Sequence, residues 1–124
     1  MKNDLVRLTT KLQSAPKFLE RKLPLGWFQC EALYALESLR ADAYGVSIAL
    51  FLDKKMSRKN NVGQVYATLK DLMRLKYIRE RKIQSPHGKG RDVATYRITP
   101  LGYAAVRATL IMVDAAEKMK DADS

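Results

Sequence analysis

The side chains in this sequence whose type and spacing suit a shared task are its basic ones, and the task is contact with phosphate. From position 74 to 97 stand Arg74, Lys76, Arg79, Arg81, Lys82, Lys89, Arg91 and Arg97, against only Glu80 and Asp92. Lys54, Lys55, Arg58 and Lys59 come shortly before them. Such a cluster binds a polyphosphate surface because each neutralised phosphate releases condensed counterion. Bond-making chemistry is poorly provided for. There is no glycine-rich phosphate loop ending in Lys-Ser or Lys-Thr, no nucleophile elbow and no paired-carboxylate motif. His87 and Cys30, each the only one of its type, share no metal-ligand spacing with the scattered carboxylates. Cys30 lies in an apolar, helical stretch and reads as a small buried hydrophobe, not a reactive thiol. The expectation is a protein that is no enzyme, with no catalytic residues, no metal and no cofactor.

The whole chain carries the same bias. Its 124 residues include 23 Lys+Arg and 13 Asp+Glu, a formal net charge of +10. In so small a chain this favours a polyanionic partner, either nucleic acid or an anionic membrane surface. No run approaches the ~18 apolar residues of a membrane-spanning helix. The opening residues Met-Lys-Asn-Asp lack the apolar core of a secretion signal. A cytoplasmic location is therefore expected, and a lone cysteine fits that reducing compartment. The length suits one domain with an appended helix.

Holding these charges in place falls to several short helices and one hairpin. Residues 1–25 read as an N-terminal helical arm, with Leu5, Leu8 and Leu12 at helical spacing and Pro16 and Pro24 as breaks. The arm is expected to pack on the main domain or on its partner. Residues 26–99 form the main unit. Leu33, Leu36 and Leu39, with Phe28, Ala32 and Ala35, fit a buried helix over 27–40; 41–44 punctuates the chain. A second helix over 45–55 turns Ile48 and Leu52 inward, and Asn60 or Asn61 can cap the next one. That next helix, over 62–76, is the most legible. Val65, Leu69 and Leu72 share a stripe with Met73 at its edge. At about 100° per residue, the opposite side carries Gly63, Ala67, Lys70 and Arg74, flanked by Gln64 and Asp71. Small residues first and long basic ones later suit a helix that approaches a phosphate-lined groove closely. The period then changes to 2. Strands over 77–84 and 93–99 flank a turn containing Pro86, Gly88 and Gly90. At its tip His87, Lys89 and Arg91 are candidates for phosphate or minor-groove contact, although a plain exposed loop suits His87 equally.

Thr99-Pro100 opens a last helix over 100–124, a capping residue followed by proline at the first helical position. This helix has two apolar stripes. One is Leu101, Ala105, Ala108, Met112, Ala115 and Met119; the other is Tyr103, Val106, Leu110 and Val113. A domain buries one face of a surface helix, so the second stripe is the expected dimer interface with an identical chain. The order helix–helix–helix–strand–strand–helix is that of a winged helix-turn-helix. The expected fold is thus mainly α with a two-stranded β-wing, an N-terminal extension and a C-terminal dimerisation helix. In that fold the helix over 62–76 enters the major groove of double-stranded DNA. The wing over 78–99 lies along the backbone or the adjacent minor groove.

Three blocks make the pattern more specific. They are Gly63-Gln64-Val65-Tyr66-Ala67-Thr68-Leu69-Lys70-Asp71-Leu72 followed by Tyr77-Ile78; upstream, Ala43-Tyr44-Gly45-Val46-Ser47-Ile48; and downstream, Tyr96-Arg97-Ile98-Thr99-Pro100-Leu101-Gly102. In this order, over roughly residues 28–110, they resemble the PadR-like transcriptional regulators. The resemblance implies a homodimer held largely by the C-terminal helix, bound to a palindromic operator and usually repressing. Some members release DNA on binding phenolic acids or flat aromatic drugs. Carried over by position, it implies that Tyr66 touches the phosphate backbone and that Asn61, Gly63 and Gln64 face the groove. Tyr66 also suits a half-buried core position, and the edge of the apolar stripe allows both roles. Val62 stands where many members carry proline, and the first 25 residues extend beyond the usual start, where they could fill or reshape an effector pocket. The expected DNA-binding set is Asn61, Gly63, Gln64, Tyr66, Ala67, Lys70, Arg74, Lys89 and Arg91. A small aromatic effector is a further candidate partner. Trp27, Phe28 and Tyr34 could line its site, but aromatics at helical spacing are core far more often. Two other functions fit the same fold: a low-specificity architectural DNA binder, and a winged-helix protein–protein adaptor, against which the basic wing argues.

Overall fold

The computed structural model describes residues 1–13, 19, 22–55, 62–84 and 92–122. Among them the helices are α1 (Lys2–Leu12), α2 (Trp27–Leu39), α3 (Gly45–Lys55), α4 (Val62–Arg74) and α5 (Pro100–Ala122). A 3-10 turn (Arg40–Asp42) follows α2, and strands β1 (Ile78–Ile83) and β2 (Val93–Ile98) stand between α4 and α5. The fold is mostly helical with a two-stranded antiparallel wing, as expected. Asn61, His87, Lys89 and Arg91 lie outside the described residues.

The core forms around α2. Cys30, Ala32, Leu33, Ala35 and Leu36 are buried there, joined by Ile48 and Leu52 of α3 and by Val65, Leu69 and Leu72 of α4. A helix apolar on most sides is covered on most sides, and each such leucine contributes about 1.5–3 kcal/mol by leaving water. Burial, and secondarily the charge of Glu31, pushes the Cys30 thiol up to about 12. It packs as a small hydrophobe.

The wing is registered from Ile78↔Ile98 to Ile83↔Val93. A third piece joins it: Tyr44 bridges Thr95, and the Tyr96 amide donates to the Ala43 carbonyl at 3.0 Å. An isolated bridge at Tyr44, just after the 3-10 turn, thus ties the start of α3 to the wing. Helix α4 stops at Arg74, two residues before the expected end. There Tyr77 N donates to Leu72 O and Lys76 N to Met73 O, both at 2.9 Å, with Lys76 at φ 64°. This Schellman closure satisfies carbonyls that a longer helix would have used. Thr99 caps α5 as the Thr-Pro pair predicts. Its hydroxyl accepts from Gly102 N at 3.0 Å and donates to Lys76 O at 2.7 Å, while its amide donates to Tyr77 O at 2.9 Å.

Helix α5 requires a correction. Val106, Leu110 and Val113, expected to face a second chain, are buried inside this one. Helix α1 packs on both α2 and α5, with Leu5, Leu8 and Leu12 buried. Tyr103, the fourth member of that stripe, is half-buried and donates its hydroxyl proton to Glu37 Oε2 at 2.8 Å. The arm itself occupies the face that seemed to need a partner. Ion pairs hold it there: Arg7 with Asp114 at 3.2 Å, and Lys11 with both Asp114 and Glu117. Of the other stripe, Leu101, Ala108, Ala115 and Met119 are exposed, as is Ile111 beside them, while Ala105 is buried.

Two outcomes follow from this packing. A Cβ at Gly102 would lie 2.1 Å from the Tyr77 carbonyl oxygen, which is backbone and cannot step aside. Gly102→Ala should therefore cost about 1–3 kcal/mol in urea unfolding, and an unchanged midpoint would mean that α5 does not seat on this corner. The hydrogen bond from Lys11 is the main cause holding the Asp114 carboxyl below its ordinary value. A folded-state pKa below the unfolded one gives stability that is complete above about pH 4 and lost as pH falls through the folded value. Asp114→Asn should thus melt below wild type at neutral pH and converge with it in acid; parallel Tm curves from pH 7 to pH 2 would refute this.

Candidate nucleic-acid interface

One face of α4 is given to the core and the other to solvent. Val65, Leu69 and Leu72 are buried, whereas Gly63, Gln64, Tyr66, Ala67, Lys70, Asp71 and Arg74 are exposed. A 13-residue amphipathic helix suffices for this division. Its outward strip begins with small residues and an amide and ends in two cations. Arg74 Nε lies 4.0 Å from Asp71 Oδ1 with both side chains well exposed. A pair of that kind contributes ~0–1 kcal/mol, so it barely restrains the guanidinium.

Tyr66 sits at the edge between the two faces. A Cβ built on Gly45 would fall 2.1 Å from its hydroxyl oxygen and 2.3 Å from Cζ. Only glycine lets the ring lie this close on the first turn of α3, and the ring remains 46% exposed. The tyrosine packs through its ring and keeps one edge toward water. Beside it, Ser47 Oγ accepts from the Tyr44 amide at 3.0 Å and closes the start of α3. The leading amides of a helix have no intrahelical acceptor, and together with a phenol they can hold a phosphate oxygen. Sequence reasoning named Tyr66 but missed Gly45. A glycine opening a helix gives no sign of which distant ring lies on it.

Alternation along the wing puts Arg79, Arg81 and Arg97 on one face and Ile78, Glu80, Tyr96 and Ile98 on the other. Ile78 and Tyr96 are buried while Arg79, Arg81 and Arg97 are exposed, although Thr95 on the arginine side is buried. Burial, followed by the charge of Glu80 and then Tyr66, raises the Tyr96 phenol above its ordinary value. The aromatics considered for an effector site are packing groups here. Tyr34 meets Phe51 edge-on at 5.7 Å, and Trp27 and Phe28 lie against the core. Among the described residues, no helix is long and apolar enough to cross a membrane.

A helix-turn-helix whose second helix shows an amide and cations to solvent, braced by an isolated bridge and a basic two-stranded wing, defines a winged-helix DNA-binding protein. The sequence profile of the transcriptional regulator PadR-like family matches residues 33–108. The chain belongs to that family and is a transcriptional regulator. Searches among curated proteins and among solved structures each return no match.

The Gly45–Tyr66 contact is open to a double-mutant cycle. Gly45→Ala should destabilise the protein by about 1–3 kcal/mol. In the Tyr66→Ala background the same change should cost far less, a coupling of roughly 0.5–3 kcal/mol. Additive losses would mean that the ring does not rest on this glycine.

Proposed function

We propose that the protein is a dimeric repressor that binds a palindromic operator, with α4 in the major groove and the wing along the backbone. The observation that carries this reading is the exposed face of α4. Gly63 and Ala67 allow close approach, and the Gln64 amide has the donor and acceptor pair that matches adenine. Lys70 and Arg74, about two and three turns further on, are placed to reach phosphates and fix the register. Tyr66 adds its hydroxyl at the edge. Asn61 at the start of the helix, and Lys89 and Arg91 in the wing tip, complete the proposed contact set.

A second copy of the chain is the occupant that best fits the free stripe of α5. Leu101, Ala104, Ala108, Ile111 and Ala115 are all exposed and follow one another at alternate steps of three and four residues. That is the a/d spacing of a two-helix seam, which matches its own copy. Leu101, Ile111 and Met119 are 53%, 68% and 70% exposed, more apolar surface than a lone helix gains from showing to water. The alanines between them let two helix backbones come close. A two-fold dimer then offers two α4 helices to half-sites about 34–36 Å apart.

The test is binding to the DNA upstream of the protein's own gene against scrambled duplex at ~150 mM salt. A preference above roughly a thousandfold is expected of an operator-specific regulator. Equal, salt-sensitive binding to both would instead favour an architectural binder, and no binding at all an adaptor. Lys70→Ala and Arg74→Ala should each weaken binding on all sequences alike, by about five- to tenfold, with unchanged circular dichroism. Ile111→Asp should give a folded monomer by light scattering, whereas Val113→Asp should unfold the chain. A dimeric Ile111→Asp protein would exclude the seam.

A further inference from the structure

We infer that the cleft between the end of α2, the end of strand β2 and the start of α5 binds a small ligand bearing a phosphate group. The cleft encloses about 530 Å³, in the range of small-molecule sites. Leu36, Ala41, Ile98 and the ring of Tyr96 give it apolar walls, and Glu37, Arg40, Arg97 and Tyr103 give it polar ones. A smaller hollow of about 130 Å³ shares Arg40, Ala41 and Arg97 with it and adds Arg81. Three arginines, from the 3-10 turn and the two wing strands, therefore border the smaller hollow, and two of them, Arg40 and Arg97, also border the cleft.

Their arrangement works against the fold unless an anion is present. Arg79 stands directly opposite Arg97 across the ribbon, and Arg81 is diagonal to Arg97 on the same face. Like charges directly opposite destabilise a strand pair, and diagonal neighbours lie within reach of long side chains. Arg40 enters from the end of α2 at φ 52°, a backbone conformation that costs a non-glycine residue free energy and recurs at binding sites. Among the described residues, none of Arg40, Arg81 and Arg97 has a carboxylate within 4.0 Å. The carboxylate on the cleft wall, Glu37, accepts from the Tyr103 hydroxyl at 2.8 Å.

The donor set selects the anion. Each guanidinium presents a planar fork, and three forks offer more donors than the two oxygens of a carboxylate accept. A phosphate monoester brings three terminal oxygens and up to two charges, and the apolar walls suit the organic body that it carries. Duplex DNA is the less fitting source of that phosphate. The cleft is walled by the end of α2, strand β2 and the start of α5, and none of its lining residues belongs to α4, the proposed reading helix. An occupant would bridge α2 to both wing strands and so set the wing's attitude. That last consequence rests on the DNA-binding reading, whereas the site itself does not.

Phenyl phosphate serves as the probe, with benzoate and sodium chloride as controls at matched ionic strength, read by titration calorimetry and thermal shift. Saturable binding of one phenyl phosphate per chain is expected, with benzoate roughly tenfold weaker or worse. The Arg40→Gln/Arg97→Gln variant should lose roughly tenfold or more in affinity, and Lys70→Ala should bind as wild type does. In chloride alone the double variant should melt no lower than wild type, because the change relieves repulsion between exposed groups. Equal responses to phenyl phosphate and chloride would overturn the proposal, as would undiminished binding by the double variant; benzoate binding as tightly would overturn the phosphate assignment. A double variant that loses duplex affinity as Lys70→Ala does, in a protein indifferent to phenyl phosphate, would make the cluster a DNA-backbone contact and sink the small-ligand site. Phenyl phosphate binding without duplex binding would keep the site and remove the regulator reading instead.

Discussion

Where α4 ends, the chain enters β1, and where β2 ends it starts α5, and both events occur at one hydrogen-bonded patch. The Tyr77 carbonyl accepts from the Thr99 amide, the Lys76 carbonyl accepts from the Thr99 hydroxyl, and Gly102 lies against the same Tyr77 oxygen. A buried carbonyl without a donor costs about 1–3 kcal/mol, so this patch resists separation of its parts. Three directions are fixed there together: the axis of α4, the plane of the wing and the axis of α5. The face of α4 that reaches solvent is therefore held at a set angle to the stripe of α5 that reaches solvent. A helix that reads a groove from a rigid mount needs that fixed angle more than it needs any single contact.

The second constraint is the seat of α1. Without it α5 would offer two apolar faces, and the chain would have a choice of which to bury. Leu5, Leu8 and Leu12 settle the choice, and the ion pairs of Arg7 and Lys11 with Asp114 set the position of α1 along α5. Those pairs are partly exposed and contribute little free energy. Their effect is on register, because a helix held only by leucines can slide or rotate by a turn more easily than one whose charges must also meet.

These two constraints explain what was legible in the sequence. The stripe Val65, Leu69, Leu72 and the change of period at Tyr77 are local patterns, and helix α4 and the wing followed from them. The cap at Thr99 is likewise carried by two adjacent residues. What failed was long-range. Both stripes of α5 are similarly apolar, and choosing between them required knowing that residues near position 7 meet those near 114. The bridge from Tyr44 to Thr95 and the ring of Tyr66 on Gly45 are also contacts between distant positions, invisible to any periodicity. The cluster of basic residues was counted correctly but as one surface. Only the strand register separates Arg79, Arg81 and Arg97, on one face, from Glu80 and Tyr96 on the other.

Helix α5 has 23 residues, which makes it roughly 35 Å long. It is anchored at one end on the Tyr77 corner and carries its exposed seam along its length, so in the proposed dimer it acts as a lever. A turn of about 10° at the far end of such a rod displaces the near end by roughly 6 Å, nearly two base-pair steps of ~3.4 Å. Small adjustments in how two copies cross are thereby magnified at the operator. The tolerance of half-site spacing becomes a property of alanines and an isoleucine that never approach DNA.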